Sequence, residues 1–459
     1  MFGRPRCPVD PVTKAWIDDR FFALVDLLGL ERLRSVRVVL PTEEDFPEVF
    51  SDELDPAAIL RRVATHLELE PNEVELQVIK EVDDAFARDR WGLLTGRYIP
   101  APEGPRIRLE EEDAGDPETL VARLALELGR HDLQRAGYLE PGLEEGGLSP
   151  ELYAILRGFG VIVANAHLRE QGGIQAYLGW WKSSHLGGLD DAAHGYALGL
   201  FAWLRAEGKP AWASGLRSEV RRHLQAALKY LGKTGDSLVQ PQGVHRSLAA
   251  LSDTQLATWL TTGSASARIN ALWAVLEDGS PSAAVAAAVL PNVGHDQRGV
   301  REHALWTIRG SGFEEDAAVP LILDGLVDTS EAVRVAAVAA LATTCSDAVV
   351  MQTELLPLLD GQAAPVVQTA AVALGGQEDP EGEIRHALLV GLERSLLAQD
   401  GLTTSAFLAA LQRNSGDARS LLADSPLRED PIHASYLDEG LDALEAGRTL
   451  PADAPQEPG

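Results

Sequence analysis

Four segments in the second half of the chain decide how its fold is read: Ala267-Arg268-Ile269-Asn270-Ala271-Leu272, Val300-Arg301-Glu302-His303-Ala304-Leu305, Val333-Arg334-Val335-Ala336-Ala337-Val338 and Val367-Gln368-Thr369-Ala370-Ala371-Val372. Their polar second positions, Arg268, Arg301, Arg334 and Gln368, lie 33, 33 and 34 residues apart. A fixed period of this length marks a solenoid, in which each helical unit buries its apolar face against its neighbours. Alanine at 271, 304, 337 and 371 lets adjacent helices approach closely. Asp296 and Asp328 precede Arg301 and Arg334 by five and six residues, which suits a turn carboxylate that ties one repeat to the next. The recurring Arg and Gln are therefore read first as ties between repeats. Glu302, His303, Trp306 and Arg309 do not recur and are candidates for exposure.

This pattern resembles HEAT-type repeats of the short kind. The resemblance implies an α-solenoid that presents surfaces to other proteins and rarely does chemistry. Working outward, 459 residues exceed one compact core and allow two or three folded units. A hydrophobic share of 45% suits a folded chain. The net charge of −29 argues against a nucleic-acid backbone or an anionic membrane surface as partner, because both need a basic face. It is compatible with a protein partner that has a basic surface. Cys7 and Cys345 make neither a disulfide framework nor a zinc knuckle, so a reducing compartment is expected. The first residues show no signal-peptide pattern, and no uninterrupted apolar run approaches the length of a membrane helix. The expected location is cytoplasmic, with no membrane association.

The fold expected is mainly α, with an α+β N-terminal domain followed by the solenoid. Residues 1–115 mix helix and strand: a helix over Thr13–Leu28, a strand at Val36–Leu40, a helix opened by Asp55-Pro56, a strand at Val74–Ile79 and an alternating strand at Arg106–Glu110. Residues 116–235 read as helical, starting at Asp116-Pro117-Glu118, with helices near 150–171, 190–206 and 218–231. Trp180, Trp181, Trp203 and Trp212 concentrate there and read as core. Residues 236–262 form a transition, 263–446 carry the repeats, and the Pro-containing tail 447–459 is expected to be disordered.

One helix carries a constellation with chemical content. Ala125-Leu126-Glu127-Leu128-Gly129-Arg130-His131 stands where a zincin places His-Glu-x-x-His. In that motif two imidazoles one turn apart bind zinc, and the Glu is general base for the metal-bound water. Here Glu127 keeps the base position, but Leu126 and Arg130 occupy the two ligand positions. Leucine has no lone pair to donate, and a guanidinium repels a cation.

The resemblance extends beyond this helix. Residues 1 to about 231 resemble a group of bacterial zincin-like proteins, through Cys7-Pro8-Val9-Asp10, Gly158-Phe159-Gly160-Val161 with Ala164-Asn165, the run Gly195–Arg205, and Lys209-Pro210-Ala211-Trp212. The resemblance implies a zincin-like scaffold whose motif is degenerate, with a further acidic ligand candidate on the next helix. There Gly146-Gly147 stand where a His-Glu pair is expected, which leaves Glu151. No catalytic residue, cofactor or metal is expected; the relic positions are Leu126, Glu127, Arg130 and Glu151. Weaker candidates for a replacement metal site are His131, His185, Asp191 and His194, with Asp190 and His167 nearby. No phosphate-binding Gly-rich loop and no Gly-x-Ser-x-Gly elbow is present. Cys345 is placed in an apolar repeat helix. The function expected is a non-catalytic interaction scaffold or adaptor, with peptide binding along an Arg106–Glu110 edge strand as one route. The alternative is a metal-dependent peptidase or hydrolase with an unconventional metal site.

Overall fold

The computed structural model describes residues 5–50, 54–70, 72–79, 97–99, 104–110, 116–138, 148–171, 189–241, 251–423 and 425–445. The chain is mainly helical and divides into two compact units, Met1–Ser247 and Leu248–Gly459. Among the described residues, no helix is long and apolar enough to cross a membrane.

The first unit opens with α1, Pro11–Leu28. Asp10 caps it by accepting from the Val12 and Thr13 amides at 2.9 and 3.2 Å, and Pro11 supplies the preset φ of a first helical turn. Phe21, Leu24 and Val25 face the core as read from the sequence, but so do Lys14 and Asp18. α2 (Leu30–Ser35) follows at once, and α3 (Pro56–Leu67) repeats the Asp-Pro start. Val36–Leu40 is not a strand. It is an irregular segment anchored by the Val39 N–H donating to the Gly158 carbonyl at 3.0 Å, and no described strand pairs with it.

A three-stranded sheet comes next: β1 (Glu75–Ile79), β2 (Arg97–Ile99) and β3 (Arg106–Glu110), in the order β1-β3-β2. β1 runs parallel to β3 with Glu75 opposite Arg106, and β2 runs antiparallel with Arg97 opposite Arg108. The strand expected at an edge is therefore the central one. Among the described residues, Arg106–Arg108 pair on both sides and Leu109 and Glu110 pair with β1, so the strand does not offer an edge open along its length to an added peptide strand.

Among the described residues, the first unit continues with the α-helices α4 (Pro117–Arg135), α5 (Leu148–Leu156), α6 (Gly160–Gln171), α7 (Asp191–Leu204) and α8 (Ser218–Thr234). The single helix expected near 150–171 is two. Gly158 adopts φ +93°, and a Cβ there would press on the Arg37 carbonyl and Val36. The Gly-Phe-Gly run is thus a corner that receives the 36–40 segment. α7 is buried on nearly every side, and Gly195 and Gly199, one turn apart, let α8 pack against its backbone. Trp180 and Trp181 lie outside the described residues.

The second unit holds α9 (Asp253–Thr262), α10 (Ala265–Asp278), α11 (Ala283–Val289), α12 (Arg298–Gly310), α13 (Glu315–Leu326), α14 (Glu331–Thr344), α15 (Ala348–Leu355), α16 (Ala364–Leu374), α17 (Glu383–Leu397), α18 (Gly401–Ser415), α19 (Ala418–Leu422) and α20 (Pro431–Glu445). Range 236–262 is no uniform connector: Val239 is buried in the core of the first unit, whereas α9 packs on α10 and α11. The repeat segments lie on α10, α12, α14 and α16, each of which packs on the next, and α16 in turn on α18. Ala271, Ala304, Ala337 and Ala371 are all 0% exposed, at the helix-to-helix contacts their small size permits.

The recurring polar residues do tie repeats together, with different partners from those the spacing suggested. Arg301 meets the Asp328 carboxylate in a two-point contact, Nε to Oδ2 at 2.7 Å and Nη2 to Oδ1 at 2.9 Å. It reaches Asp296 only through the backbone carbonyl, at 3.1 Å. Arg301 holds the Asp328 carboxyl below the usual carboxylate range. Arg334 donates to the Asp328 carbonyl at 2.8 Å, so one turn serves two repeats. Arg268 donates to Asn292 Oδ1 at 2.9 Å, and Gln368 to Thr403 Oγ1 at 3.0 Å. His303 lies edge-on to Trp273, and Arg309 lies over the Trp306 ring. Cys345 sits just past the end of α14, not within it.

Candidate functional site

The residues read from the sequence as a relic active site fall into two polar centres on the first unit. The first is built on α4, which Asp116 starts by accepting from the Thr119 amide at 3.2 Å. Glu127 and His131, one turn apart, share the face turned to β2 and engage the same tyrosine. The Tyr98 N–H donates to Glu127 Oε2 at 2.8 Å, and the Tyr98 hydroxyl lies 3.0 Å from His131 Nδ1. The other imidazole nitrogen lies 3.4 Å from Glu73, which also receives Arg135 at 3.3 Å. Glu127 is 3% exposed, and burial raises the pKa of its carboxyl against the pull of Arg130, whose Nε is 3.5 Å away. Its carboxylate thus fastens β2 to α4. Leu126 packs against the core cluster, and Arg130 is partly exposed.

Gly129 brings the second centre alongside. A Cβ there would lie 3.0 Å from the Tyr153 ring and 3.7 Å from the Pro150 carbonyl, so α5 crosses α4 next to the motif. On α5, Glu151 accepts from the Leu189 N–H at 2.8 Å and lies 3.9 Å from Nε2 of His194, which is fully buried on α7. Two residues read separately, one as a relic ligand and one as a weak metal candidate, are therefore neighbours. Asp190 and Asp191 diverge from His194: Asp190 caps α7 through the Ala193 amide at 2.7 Å, and Asp191 pairs with Arg217 at 2.7 Å. His185, Gly146 and Gly147 lie outside the described residues, as does the side chain of His167. Among the described residues, no group of three or more His, Cys, Asp or Glu is placed to hold a metal ion.

A third buried polar cluster went unread in the sequence. Lys14 and Asp18 pair at 2.6 Å at 3% and 1% exposure, and the Tyr196 hydroxyl donates to Asp18 at 2.7 Å. Asp236 lies 3.7 Å from Lys14 and accepts from the Tyr230 hydroxyl. The two carboxylates outweigh the cost of burial and keep Lys14 protonated, with its pKa raised. Burial raises Asp18, opposed by Lys14 and Tyr196. Lys14 and Asp18 are spaced like an ordinary surface pair on a helix, so nothing in the sequence marks them as internal. Only the docking of α7 and of residue 236 does so.

No family model, curated protein or solved structure matches the chain.

Proposed function

We propose that the chain is a non-catalytic protein-interaction scaffold or adaptor: a degenerate zincin-like unit followed by a HEAT-type α-solenoid. The observation that carries this reading is the state of Glu127. The one motif residue retained for chemistry is buried and accepts an amide N–H from Tyr98, between a leucine and an arginine at the two ligand positions. A general base must reach the proton it abstracts. The sequential stacking of α10, α12, α14, α16 and α18 supports the solenoid half, since such stacks offer a continuous surface. The net charge of −29 favours a partner with a basic surface. A cytoplasmic location belongs to the same proposal.

The second reading, a metal-dependent hydrolase with an unconventional site, is favoured by the buried Glu151–His194 pair at 3.9 Å. Elemental analysis of untagged protein, purified without added metal, separates the two. The scaffold reading expects zinc far below one equivalent. Zinc near one per chain, with peptide turnover lost in Glu127→Gln, would overturn it.

A further inference from the structure

The buried cluster on α1 holds the parts of a condensation reaction. Lys14 and Asp18 stand four residues apart on one helix, a spacing that lays one side chain over the other on the same face. Lys14 Nζ and Asp18 Oδ2 are 2.6 Å apart at 3% and 1% exposure, so amine and carboxyl meet out of reach of bulk water. The other carboxyl oxygen, Oδ1, accepts from the Tyr196 hydroxyl at 2.7 Å. Burial raises the Tyr196 pKa well above its usual value and keeps that hydroxyl a donor. A second carboxylate, Asp236, lies 3.7 Å from Nζ and accepts from the Tyr230 hydroxyl. An ion pair needs one carboxylate. Here one nitrogen faces two, and each oxygen of Asp18 has its own partner.

We propose that Lys14 and Asp18 condense within the folded chain to an isopeptide bond, Nζ to Cγ, with release of one water. The resting pair is ionic. Transfer of one proton along the short contact, from Nζ to Oδ2, leaves a neutral amine beside a neutral carboxylic acid. Burial disfavours both charges and raises the Asp18 carboxyl, which lowers the cost of that transfer. Nζ then attacks Cγ. Negative charge gathers on Oδ1, where the Tyr196 hydroxyl stabilises it. Asp236 takes a second proton from the nitrogen and returns it to Oδ2; contacts of this kind are commonly longer in the resting site than during reaction. The Cγ–Oδ2 bond breaks, Oδ2 leaves as water, and Asp236 is again a carboxylate. The amide nitrogen keeps the third proton. No oxidant, reductant or further reactant enters.

Holding the two groups in contact replaces a bimolecular encounter with a step whose effective molarity is about 10⁵–10⁸ M. The amide does not revert in a site closed to water, so a small share of the neutral pair at any moment is enough to drive the chain to product. The product replaces a buried charge pair with a neutral group and staples the first turns of α1. This modification is independent of the interaction-platform reading.

Trypsin reads the bond directly, because it cuts after a free lysine. The full chain is kept folded in native buffer, then unfolded, digested and analysed by mass spectrometry. An unjoined chain gives separate peptides ending at Lys14 and Arg20, whereas a joined chain gives Cys7–Arg20 uncut and lighter by one water. The expected result is the uncut peptide in most chains, with no fragment ions from breaks between residues 14 and 18. Lys14→Arg keeps the cation but has no amine to condense, so it should show its full sequence mass. In chain freshly made by cell-free synthesis, Asp236→Asn should slow the loss of water by about a hundredfold or more, the usual contribution of a positioned proton carrier. Cleavage after Lys14 with full peptide mass in the unaltered chain overturns the proposal, and that result needs no variant to fold. A water lost equally in Lys14→Arg would come from another residue and overturn it too. Joining at an unchanged rate in Asp236→Asn would overturn the role given to Asp236.

Discussion

Replacing Gly195 by alanine should destabilise the first unit, while the same change at Gly232, on the helix packed against it, should stabilise it. Both glycines are helical, and in a solvated helix Gly→Ala gains about 0.5–1 kcal/mol by restricting the unfolded chain and restoring helix propensity. Nothing lies within 4 Å of a Cβ at Gly232, so that gain appears undiminished there. At Gly195 a Cβ would stand 2.9 Å from both the Leu224 nitrogen and the Val220 carbonyl oxygen, and would press on the His223 Cβ. Those are backbone and near-backbone atoms of α8, which have no rotamer to escape into. Ordinary contact begins near ~3.5 Å, so α8 must withdraw by about half an ångström or more along its most extensive contact. Inserting one methyl into packing this close costs typically 1–3 kcal/mol, which exceeds the propensity gain. Gly199→Ala should follow, since a Cβ there would stand 2.5 Å from the Ala227 Cβ. The measurement is urea unfolding followed by Trp fluorescence and far-UV CD, with midpoints compared at constant slope. If Gly195→Ala and Gly232→Ala move the midpoint in the same direction, the close approach of α7 and α8 is wrong.

Lys14→Met should lower stability by about 3–5 kcal/mol, because it leaves the buried Asp18 carboxylate without its cation. Lys14→Met combined with Asp18→Leu should recover most of that loss in the same urea assay, whereas a double variant as unstable as the single one would refute the pairing. Burial pushes the Cys7 thiol from an ordinary 9.0 up to about 12. The folded chain therefore holds that proton while the unfolded chain releases it, so the contribution of Cys7 to stability is complete below pH 9 and is lost as pH climbs toward 12. Alkylation by iodoacetamide at pH 8 should accordingly be slow at Cys7 in the native protein and fast in urea; equal rates would contradict its burial.

Much of this organisation can be read in the residues because it rests on short-range rules. Asp followed by Pro begins α1, α3 and α4, since a side-chain acceptor and a preset φ act within one turn. The 33-residue spacing put the repeat segments on α10, α12, α14 and α16, because alanine at a fixed period has few uses other than close helix contact. The alternation in Arg106–Glu110 gave a strand but not its neighbours. Whether a strand is central or at an edge depends on segments distant in sequence, here Glu75–Ile79 and Arg97–Ile99. The absence of ligands at Leu126 and Arg130 was equally a matter of residue chemistry.

What only tertiary structure decided is the partnership of charged groups. The sequence offered Asp296 to Arg301, and the stacking of repeats delivered Asp328 instead, because the guanidinium projects across the helix contact to the next turn. Glu151 and His194 belong to separate helices and became neighbours only when α5 and α7 packed. The Lys14–Asp18 pair has the spacing of a surface pair, yet it is internal because α7 covers it with Tyr196. Local rules act over a few bonds and leave their mark in the order of residues. The pairing of distant charges depends on which surfaces meet, and that is settled by the burial of the whole apolar face of each helix.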